Sequence, residues 1–372
     1  MFLTQLPTGE YPKLLDQKVN TVRQIFADIP LPEASVFASR PAHYRMRAEF
    51  RVWHEGDDLF YAMFDPKDPK TPIRVDQFPV ASEAIWALMP TLINAIAKQP
   101  SLRQRLFQVE FLSTLAGDML VTLIYHRKLD DSWRQAAEQL SEALNNIQVI
   151  GRSRKQRVVL DRDYVNETLQ IDGQRYHYRQ YEGGFTQPNA ELNQTMISWA
   201  KQQFGHRPNE DLLELYCGNG NFTAPLATQF RQVLATEISK TSVRAARENF
   251  AANGTDNVRI ARMSSEDFTS ALNGEREFRR LEDIDLASFD FSSVFVDPPR
   301  AGLDEATCAL ISRFDHIVYI SCNPHSLQRD LQLLTKSHRL DGFALFDQFP
   351  YTDHMECGAY LQRSVVDDSK TD

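Results

Sequence analysis

A series of short apolar runs in the second half of the chain limits the fold more than any other feature of the sequence. Each run is followed by a glycine-containing or acidic loop and then by a helical pattern. Apolar runs without alternation are typical of strands buried on both faces, and the repeated order predicts an α/β domain with a doubly wound, mostly parallel sheet. The predicted strands are Asp211–Tyr216, Gln232–Thr236, Asn257–Arg262, Ser293–Val296 and His316–Ile320.

Other segments complete this half. Lys240–Ala252 has helical spacing and ends at a stop signal, Asn253-Gly254. The runs Phe343–Gln348 and Cys357–Leu361 predict an antiparallel pair of strands at the edge of the sheet. Asn273–Asp285 is too charged for a core, so we expect an exposed excursion there.

The first half of the chain predicts an α+β domain, because hairpins and helices occur without a repeated βα unit. We place the boundary beside Gly183-Gly184, which gives an α+β domain over residues 1–182, a Rossmann-like α/β domain over 183–364 and a loose tail over 365–372. The predicted hairpins are Tyr44–Trp53 with Asp58–Phe64, Gln104–Ser113 with Met119–Tyr125, and Thr168–Tyr178, and the predicted helices are Pro12–Phe26, Ser82–Ala97 and Ser132–Asn145.

Composition indicates a globular protein of more than one domain. The chain has 372 residues, against ~150 for a typical domain, and 42% of them are hydrophobic. A net charge of −9 does not indicate a polyanion as partner for the whole molecule. The four cysteines lack CxxC spacing, and neither a leader nor a long apolar segment is evident. We therefore expect a cytoplasmic protein without a membrane partner.

A glycine motif follows the first of the predicted parallel strands. Gly218-x-Gly220 lets the backbone pass close to a ligand, and Glu237 at the end of the next strand can bind both hydroxyls of a ribose. The third glycine of a dinucleotide site is missing, since Asn221-Phe222-Thr223 follows Gly220. This favours a nucleoside ligand without a pyrophosphate, such as S-adenosylmethionine. A tight turn beside a solvated glutamate is the alternative.

Two more strand ends carry reactive side chains. Asp297, in VFVDPPRAG, ends a strand and is expected to face the ligand crevice, although Asp-Pro-Pro also occurs in ordinary turns. Cys322 lies between a buried strand and a helix that we expect to start near Pro324. The positive end of a helix favours a thiolate. The alternative for Cys322 is a small buried hydrophobic residue.

Glu356, between a polar loop and an apolar strand, is a candidate base whose pKa partial burial would raise. An edge-strand carboxylate in solvent is the alternative. His354-Met355-Glu356 matches half of the zinc deaminase signature, but the P-C-x-x-C half is absent from the chain. No metal-ligand spacing, P-loop or nucleophile-elbow motif is present, so we expect no metal.

In combination these motifs resemble a known family. The order Gly218-x-Gly220, DPPRAG, SCNP and HMECG resembles the RNA uracil C5-methyltransferases, and the segments HYRMRAEFR, GGFTQPN and FDQFPYTDHMECG resemble the members that act on bacterial tRNA. The resemblance covers nearly the whole chain. It implies methyl transfer from S-adenosylmethionine to C5 of the T-loop uridine of tRNA, forming 5-methyluridine. Residues 183–364 would be the catalytic domain and residues 1–182 the RNA-binding domain.

The resemblance also implies a role for each matching residue. Cys322 would be the nucleophile that bonds to C6 of the uracil, and Glu356 the proton acceptor. Relatives that act on ribosomal RNA often carry a four-cysteine iron–sulfur site, but residues 1–216 contain no cysteine, so no cluster is expected. The cofactor residues would be Gln187, Tyr216, Gly218, Gly220, Asn221, Glu237 and Asp297.

The RNA partner is expected to be the T-arm of tRNA, and no obligate protein partner is indicated. Residues 40–54 carry +3 and residues 151–157 carry +4, so the rest of the chain carries −16. Alternation predicts that Arg45, Arg47 and Arg51 share one strand face suited to phosphates, with Phe107 as the aromatic candidate that braces an extruded base. A solvated basic surface and a core position for Phe107 are the alternatives.

Three other functions stay open at this point. Another structured RNA such as ribosomal RNA could be the substrate. Asp-Pro-Pro can also orient an exocyclic amine in amino-methyltransferases, which usually have an aromatic residue where Arg300 stands, and that reading leaves Cys322 and Glu356 without roles. A noncatalytic RNA-binding or folding factor could keep the cofactor fold.

Overall fold

The computed structural model describes residues 5–364, so the predicted tail over 365–372 lies outside the described residues. In chain order the α-helices are α1 (Tyr11–Ile25), α2 (Glu83–Ala97), α3 (Pro100–Arg103), α4 (Asp131–Ala143), α5 (Ala190–Phe204), α6 (Thr223–Ala227), α7 (Lys240–Ala252), α8 (Ser265–Leu272), α9 (Glu305–Ile311) and α10 (Pro324–Leu334). Short 3₁₀ helices occur at Thr8–Glu10, Arg279–Leu281 and Leu286–Ser288.

The strands in chain order are β1 (Ala34–Phe37), β2 (Arg47–Glu55), β3 (Asp58–Asp65), β4 (Asp68–Arg74), β5 (Leu106–Ser113), β6 (Met119–Tyr125), β7 (Gln148–Ser153), β8 (Gln156–Val159), β9 (Tyr164–Ile171), β10 (Gln174–Tyr181), β11 (Arg207–Leu215), β12 (Phe230–Thr236), β13 (Val258–Ala261), β14 (Phe291–Val296), β15 (His316–Ser321), β16 (His338–Phe346) and β17 (Glu356–Arg363). Every predicted strand and helix is present, with ends that shift by a few residues, whereas β1, β4, β7 and β8 were not predicted.

The chain forms two compact units that are discontinuous in sequence. Within the described range, unit 1 comprises residues 5–9, 40–169 and 179–191, and unit 2 comprises residues 10–39, 170–178 and 192–364. This differs from the continuous boundary predicted at 182/183. The physical reason is that β1 pairs with β16, far along the chain, which brings residues 10–39 into unit 2.

Unit 2 contains an eight-stranded sheet in the order β1-β16-β17-β15-β14-β11-β12-β13. Strands β11 to β15 pair in parallel, as predicted for the doubly wound sheet, and β17 is antiparallel to both β15 and β16. The expected edge position of the β16–β17 pair is wrong, because β1 pairs in parallel with β16 and covers that edge.

Helices cover both faces of this sheet. On one face, apolar side chains of α1, α8, α9 and α10 form one core with the strands, including Val22, Phe268 and Leu327. On the other face Trp199 of α5 packs edge-on against Phe346, with ring centroids 5.9 Å apart. The carboxyl ends of the strands stay open for the loops that carry the predicted site.

Unit 1 contains a seven-stranded sheet in the order β4-β3-β2-β5-β6-β7-β8, with only β6 and β7 parallel. Helix α2 begins where the Ser82 hydroxyl accepts a hydrogen bond from the Ile85 amide and caps the helix. In β2, buried residues alternate with half-buried or exposed ones, which confirms the predicted alternation of side chains.

Within residues 5–364 no helix is long and apolar enough to span a membrane.

Candidate active site

The predicted reactive residues of unit 2 lie along one edge of its sheet. Tyr216, Glu237, Asp297 and Cys322 each follow directly after a parallel strand, namely β11, β12, β14 and β15. Glu356 begins β17, which runs antiparallel to β15, so its amino end lies at the same edge. In open α/β sheets this edge is where ligands bind.

Strand register brings the nucleophile and base candidates together. Ser321 is the residue opposite Cys357, so Cys322 and Glu356 occupy the next position outward on their strands. Since side chains alternate, both leave the face on which Cys357 is buried in the core. Burial, followed by the charges of Glu356 and Asp297, raises the pKa of Cys322 to about 11. The three side chains are therefore electrostatic neighbours.

Cys322 differs from the other three cysteines, which are buried, because its side chain is partly accessible. It precedes α10 as predicted, and the Asn323 side chain caps that helix by accepting from the His325 amide at 3.1 Å. Asn323 Nδ2 also donates to the Arg300 carbonyl at 3.0 Å, which links the loops after β14 and β15. Burial and the charges of Glu356 and Asp297 raise the Cys322 pKa in the free protein, the opposite direction to the effect expected from the helix terminus.

Glu356 is buried, with 6% of its surface exposed, and so is not the solvated edge carboxylate of the alternative reading. Burial, and then the charge of Asp297, raises its pKa to about 8, in the direction predicted from the sequence. Burial also raises the pKa of Asp297 to about 7. Both carboxyls are thus poised to exchange protons near neutral pH.

A third acid, Glu214 of β11, was missed. It is 1% exposed, and burial raises its pKa to about 8, with a smaller contribution from the charge of Asp297. Its Oε2 atom has no hydrogen-bond partner within residues 5–364. A single carboxylate inside the apolar run LLELY was the signal that could have identified it, since buried acids are rare without a function.

Glu214, Asp297 and Glu356 together form what we call the acid trio. Glu214 and Glu356 are buried and Asp297 is half-buried, and the charge of Asp297 acts on both of the others. A ligand cation beside these carboxyls would lower their pKa values. The sulfonium of S-adenosylmethionine is such a cation. The charge of these three carboxyl groups therefore fits this cofactor.

The two glycines of the motif do different work. Gly218 has φ +57°, and a Cβ added there would meet no atom within 4 Å, so its backbone borders open space that a ligand can fill. Gly220 has φ +82°, and an added Cβ would lie 2.5 Å from Cε1 of Phe250. Glu237 fixes this loop, since its carboxylate accepts from the amides of Gly218 at 3.0 Å and Ser239 at 2.6 Å. The alternative of a solvated glutamate does not describe it.

Tyr216 and Asn221 flank these glycines. Tyr216 has φ +62°, a left-handed conformation that turns the chain out of β11, and its hydroxyl hydrogen-bonds the Ser265 hydroxyl at 2.6 Å. Asn221 exchanges two amide hydrogen bonds of 2.8 Å with Asn193 of α5. The Tyr178 hydroxyl donates to the Asn221 carbonyl at 3.0 Å. Asn193 is a second residue that sequence reasoning missed, because no local pattern links it to the loop.

The remaining cofactor candidate, Gln187, belongs to unit 1. It lies in the segment before α5, next to Pro188, whose carbonyl accepts from the Met46 amide at 2.7 Å. Its assignment continues to rest on the sequence resemblance.

The RNA-binding candidates also lie in unit 1, where Arg45, Arg47 and Arg51 occupy the accessible positions of one alternation in burial. Arg45 precedes β2, and its Nε donates to the Arg47 carbonyl at 2.8 Å. Arg47 donates to the Gly184 carbonyl at 2.8 Å. Arg51 is exposed and places its guanidinium 3.9 Å from the centre of the Phe107 ring.

Phe107 is half-buried and stacks on His126, with ring centroids 4.0 Å apart. An exposed arginine, a phenylalanine and a histidine in contact form a surface suited to phosphates and bases.

The basic stretch at 151–157 makes different contacts. Arg152 and Arg157 both pair with the nearly buried Glu182, at 2.5 and 3.2 Å, so this charge is structural.

No group of three potential metal-ligating side chains occurs in the part of the chain that the structure covers.

Comparison with known proteins shows the family to which this chain belongs. Residues 10–364 match the family described as tRNA (Uracil-5-)-methyltransferase. A Pseudomonas entomophila protein named tRNA/tmRNA (uracil-C(5))-methyltransferase is 56% identical over 355 residues, covering 95% of this chain and 98% of that protein. The Azoarcus protein of the same name is 52% identical over 366 residues, covering 98% and 100%.

A solved structure shares the fold. The crystal structure of Pyrococcus abyssi tRNA (uracil-54, C5)-methyltransferase in complex with S-adenosyl-L-homocysteine aligns with a TM-score of 0.70. It covers 94% of this chain and 83% of that chain at 19% identity. The α/β fold predicted from the apolar runs is thereby confirmed, and so is the S-adenosylmethionine-dependent methyltransferase fold that the resemblance implied.

Proposed function

This chain belongs to the tRNA (uracil-5-)-methyltransferase family, and from that premise we propose that it methylates C5 of the T-loop uridine of tRNA through a covalent bond between Cys322 and C6. The observation that carries the proposal is the position of Cys322 beside Glu356 and Asp297 at the carboxyl edge of the sheet. A nucleophile and a base in one crevice are what this chemistry requires.

The first half of the reaction makes C5 reactive. The Cys322 thiolate forms a bond to C6, and the π electrons of C5=C6 move onto C5 and the neighbouring carbonyl as an enolate. S-adenosylmethionine supplies an electrophilic methyl group that bonds to C5, while the electron pair of the broken sulfur–carbon bond leaves with the departing sulfur. The bond from Cys322 to C6 thus makes C5, which is otherwise a poor nucleophile, electron-rich.

The second half restores the ring. Glu356 takes the proton from C5, the electrons of that C–H bond re-form C5=C6, and the C6–sulfur bond breaks with its pair returning to Cys322. A carboxyl whose pKa is about 8 is a stronger base, once ionised, than an ordinary glutamate. Burial of Glu356 therefore suits this step.

Ionisation of the site has to precede the reaction. In the free protein the Cys322 thiol and much of the Glu356 carboxyl hold their protons at neutral pH, because their pKa values are raised to about 11 and about 8. A positive charge bound beside the acid trio lowers both values, so the thiol proton passes to water and Glu356 ionises. Cofactor binding and activation of the nucleophile are thereby coupled.

The other candidates fall into two groups. We assign the cofactor to Tyr216, Gly218, Gly220, Asn221, Glu237 and Asp297 of unit 2, and we add Glu214 as the buried acid that favours its charge. Gln187 stays a cofactor candidate on the sequence resemblance alone. Arg51, Phe107 and His126 are assigned to RNA, with Arg45 and Arg47 as residues that order the strand beneath them. Unit 1 would then be the RNA-binding part and unit 2 the catalytic part, in a cytoplasmic enzyme.

A nucleoside analysis tests the function. The protein is incubated with S-adenosylmethionine and a tRNA transcript, and the digested RNA is analysed by mass spectrometry. We expect one 5-methyluridine per tRNA, and none when the T-loop uridine is replaced by cytidine. An N-methylated nucleoside instead would favour the amino-methyltransferase reading. Because relatives are named for tmRNA as well as tRNA, a T-loop transcript from tmRNA is the second substrate to assay.

A further inference from the structure

A buried ion pair fixes the segment that leads into the proposed base. Lys18 of α1 donates from Nζ to Oδ1 of Asp347, the residue after β16, and also to the Phe349 carbonyl at 3.1 Å. The Tyr11 hydroxyl donates to Oδ2 of Asp347 at 2.8 Å. Asp347 is fully buried, so both oxygens of an enclosed carboxylate have a donor.

The backbone of Asp347 is held as well. Its amide donates to the Phe37 carbonyl at 3.0 Å, and its carbonyl accepts from the Ser39 hydroxyl at 2.6 Å. The Ser39 amide in turn donates to the Tyr11 hydroxyl at 2.9 Å. All of these partners come from residues 10–39, the segment that joins unit 2 from the start of the chain.

This network lies at the start of the segment that leads to Glu356. Phe346, the residue before Asp347, is the one that pairs with Glu356 between β16 and β17. The segment 347–355 therefore leaves the sheet and returns to it beside the base. Its middle is strained, with Tyr351 at φ +66°, and is braced by a contact between the Tyr351 and Tyr11 rings at 5.6 Å.

Stability alone does not explain a buried pair of this kind. Removing two charges from water costs about as much as their attraction returns, so buried ion pairs are weak sources of stability. What they supply is one defined geometry. The strained, left-handed backbone of Tyr351 also persists only where contacts with neighbouring residues hold it in place.

We propose that Tyr11, Lys18 and Asp347, here called the Asp347 clamp, are positioning residues that hold Glu356 at the distance needed to take the C5 proton. The proposal rests on the proposed function, since it gives Glu356 that task. The clamp acts through the backbone of the segment 347–355 and only on the second half of the reaction. Methyl transfer through Cys322 should proceed without it.

The test separates the two halves in single-turnover reactions. The substrate tRNA carries tritium at C5 of uridine, and S-adenosylmethionine carries a ¹⁴C methyl group, so methyl incorporation and tritium release are timed in the same sample. The main variant is Lys18→Met with Asp347→Asn, which removes both charges together and leaves none buried alone. Tyr11→Phe is a milder second variant, and Lys13→Met, at an exposed position of the same helix, is the control.

For the double variant we expect methyl incorporation within about twofold of wild type, and tritium release slowed about tenfold, a part of the ~100-fold or more that a positioned base contributes. A covalent protein–RNA complex should accumulate, and Tyr11→Phe should show a smaller lag of the same kind. Equal slowing of both rates, or unchanged rates with only a lower melting temperature, would overturn the clamp.

Glu356→Gln is the reference that keeps the two proposals apart. If Glu356→Gln stalls tritium release while the clamp variants do not, the clamp is refuted and the base assignment stands. If Glu356→Gln releases tritium at the wild-type rate, the base assignment itself fails.

Discussion

Two alanine substitutions in the glycine motif should affect different properties, one the stability of the protein and the other the binding of the cofactor. In Gly220→Ala the new methyl would lie 2.5 Å from Cε1 and 3.0 Å from Cζ of Phe250, a ring of α7 packed beneath the loop. In Gly218→Ala it would meet nothing within 4 Å. Both glycines have positive φ, so the two variants share the backbone strain and differ in the clash.

Magnitudes follow from those contacts. A left-handed alanine costs ~1–2 kcal/mol, which both variants incur. Overpacking against Phe250 adds ~1–3 kcal/mol to Gly220→Ala alone. At ~2–4 °C per kcal/mol, its melting temperature should lie at least ~2 °C below that of Gly218→Ala. Gly218→Ala should instead weaken S-adenosylmethionine binding about tenfold, since it fills the open space where the backbone borders the ligand.

Differential scanning calorimetry without ligand and titration calorimetry with S-adenosylmethionine measure the two effects. Equal melting temperatures for both variants would refute the packing argument for Gly220. A Gly218→Ala protein that binds the cofactor as wild type does would refute the assignment of that space to the ligand.

Three further outcomes follow from the site and the RNA surface. Glu214→Gln should remove a pH dependence of stability. Because burial raises the folded pKa of Glu214 to about 8 from an unfolded value of ~4.3, its contribution to stability is fully present below ~4.3 and falls by ~1.4 kcal/mol per pH unit as the pH rises toward 8. The stability of wild type against urea should therefore fall more between pH 6 and 8 than that of the variant. Without S-adenosylmethionine, the rate of covalent complex formation with tRNA should rise from pH 6 to 9, because the pKa of Cys322 is about 11 in the free protein and the thiolate fraction grows with pH; a flat profile in rapid-quench assays would contradict this. Phe107→Leu should weaken tRNA binding by ~1–3 kcal/mol in filter-binding assays, the value of one base–aromatic stack, and an unchanged Kd would remove Phe107 from the RNA surface.

The sheet of unit 2 was predictable because its strands are buried on both faces and leave a continuous apolar signal, as at β14 and β15. Strand β1 was not, since four residues with half-exposed side chains carry no such pattern. Its pairing with β16 is a contact across some 300 residues that no local periodicity encodes. The same non-local pairing explains why a continuous domain boundary could not be found.

At the site, positions could be predicted but protonation could not. The strand-end placement of Asp297, Cys322 and Glu356 followed from the strand pattern, and the direction of the Glu356 pKa followed from its apolar flank. The direction of the Cys322 pKa shift could not be predicted, because the sequence shows the helix that follows but not the two carboxylates whose charges act on the thiol. Electrostatics of this kind depends on which strands are neighbours.

The covalent bond to Cys322 is the claim on which the rest depends, and a trapped conjugate tests it. A tRNA containing 5-fluorouridine is mixed with S-adenosylmethionine and the protein, because fluorine at C5 cannot leave as a proton does and the adduct persists. After denaturation and digestion, mass spectrometry should place the methylated nucleotide on the peptide that contains Cys322, with Cys308→Ala forming the conjugate and Cys322→Ala forming none. A conjugate of equal yield in Cys322→Ala, or one mapped to another residue, would contradict the account.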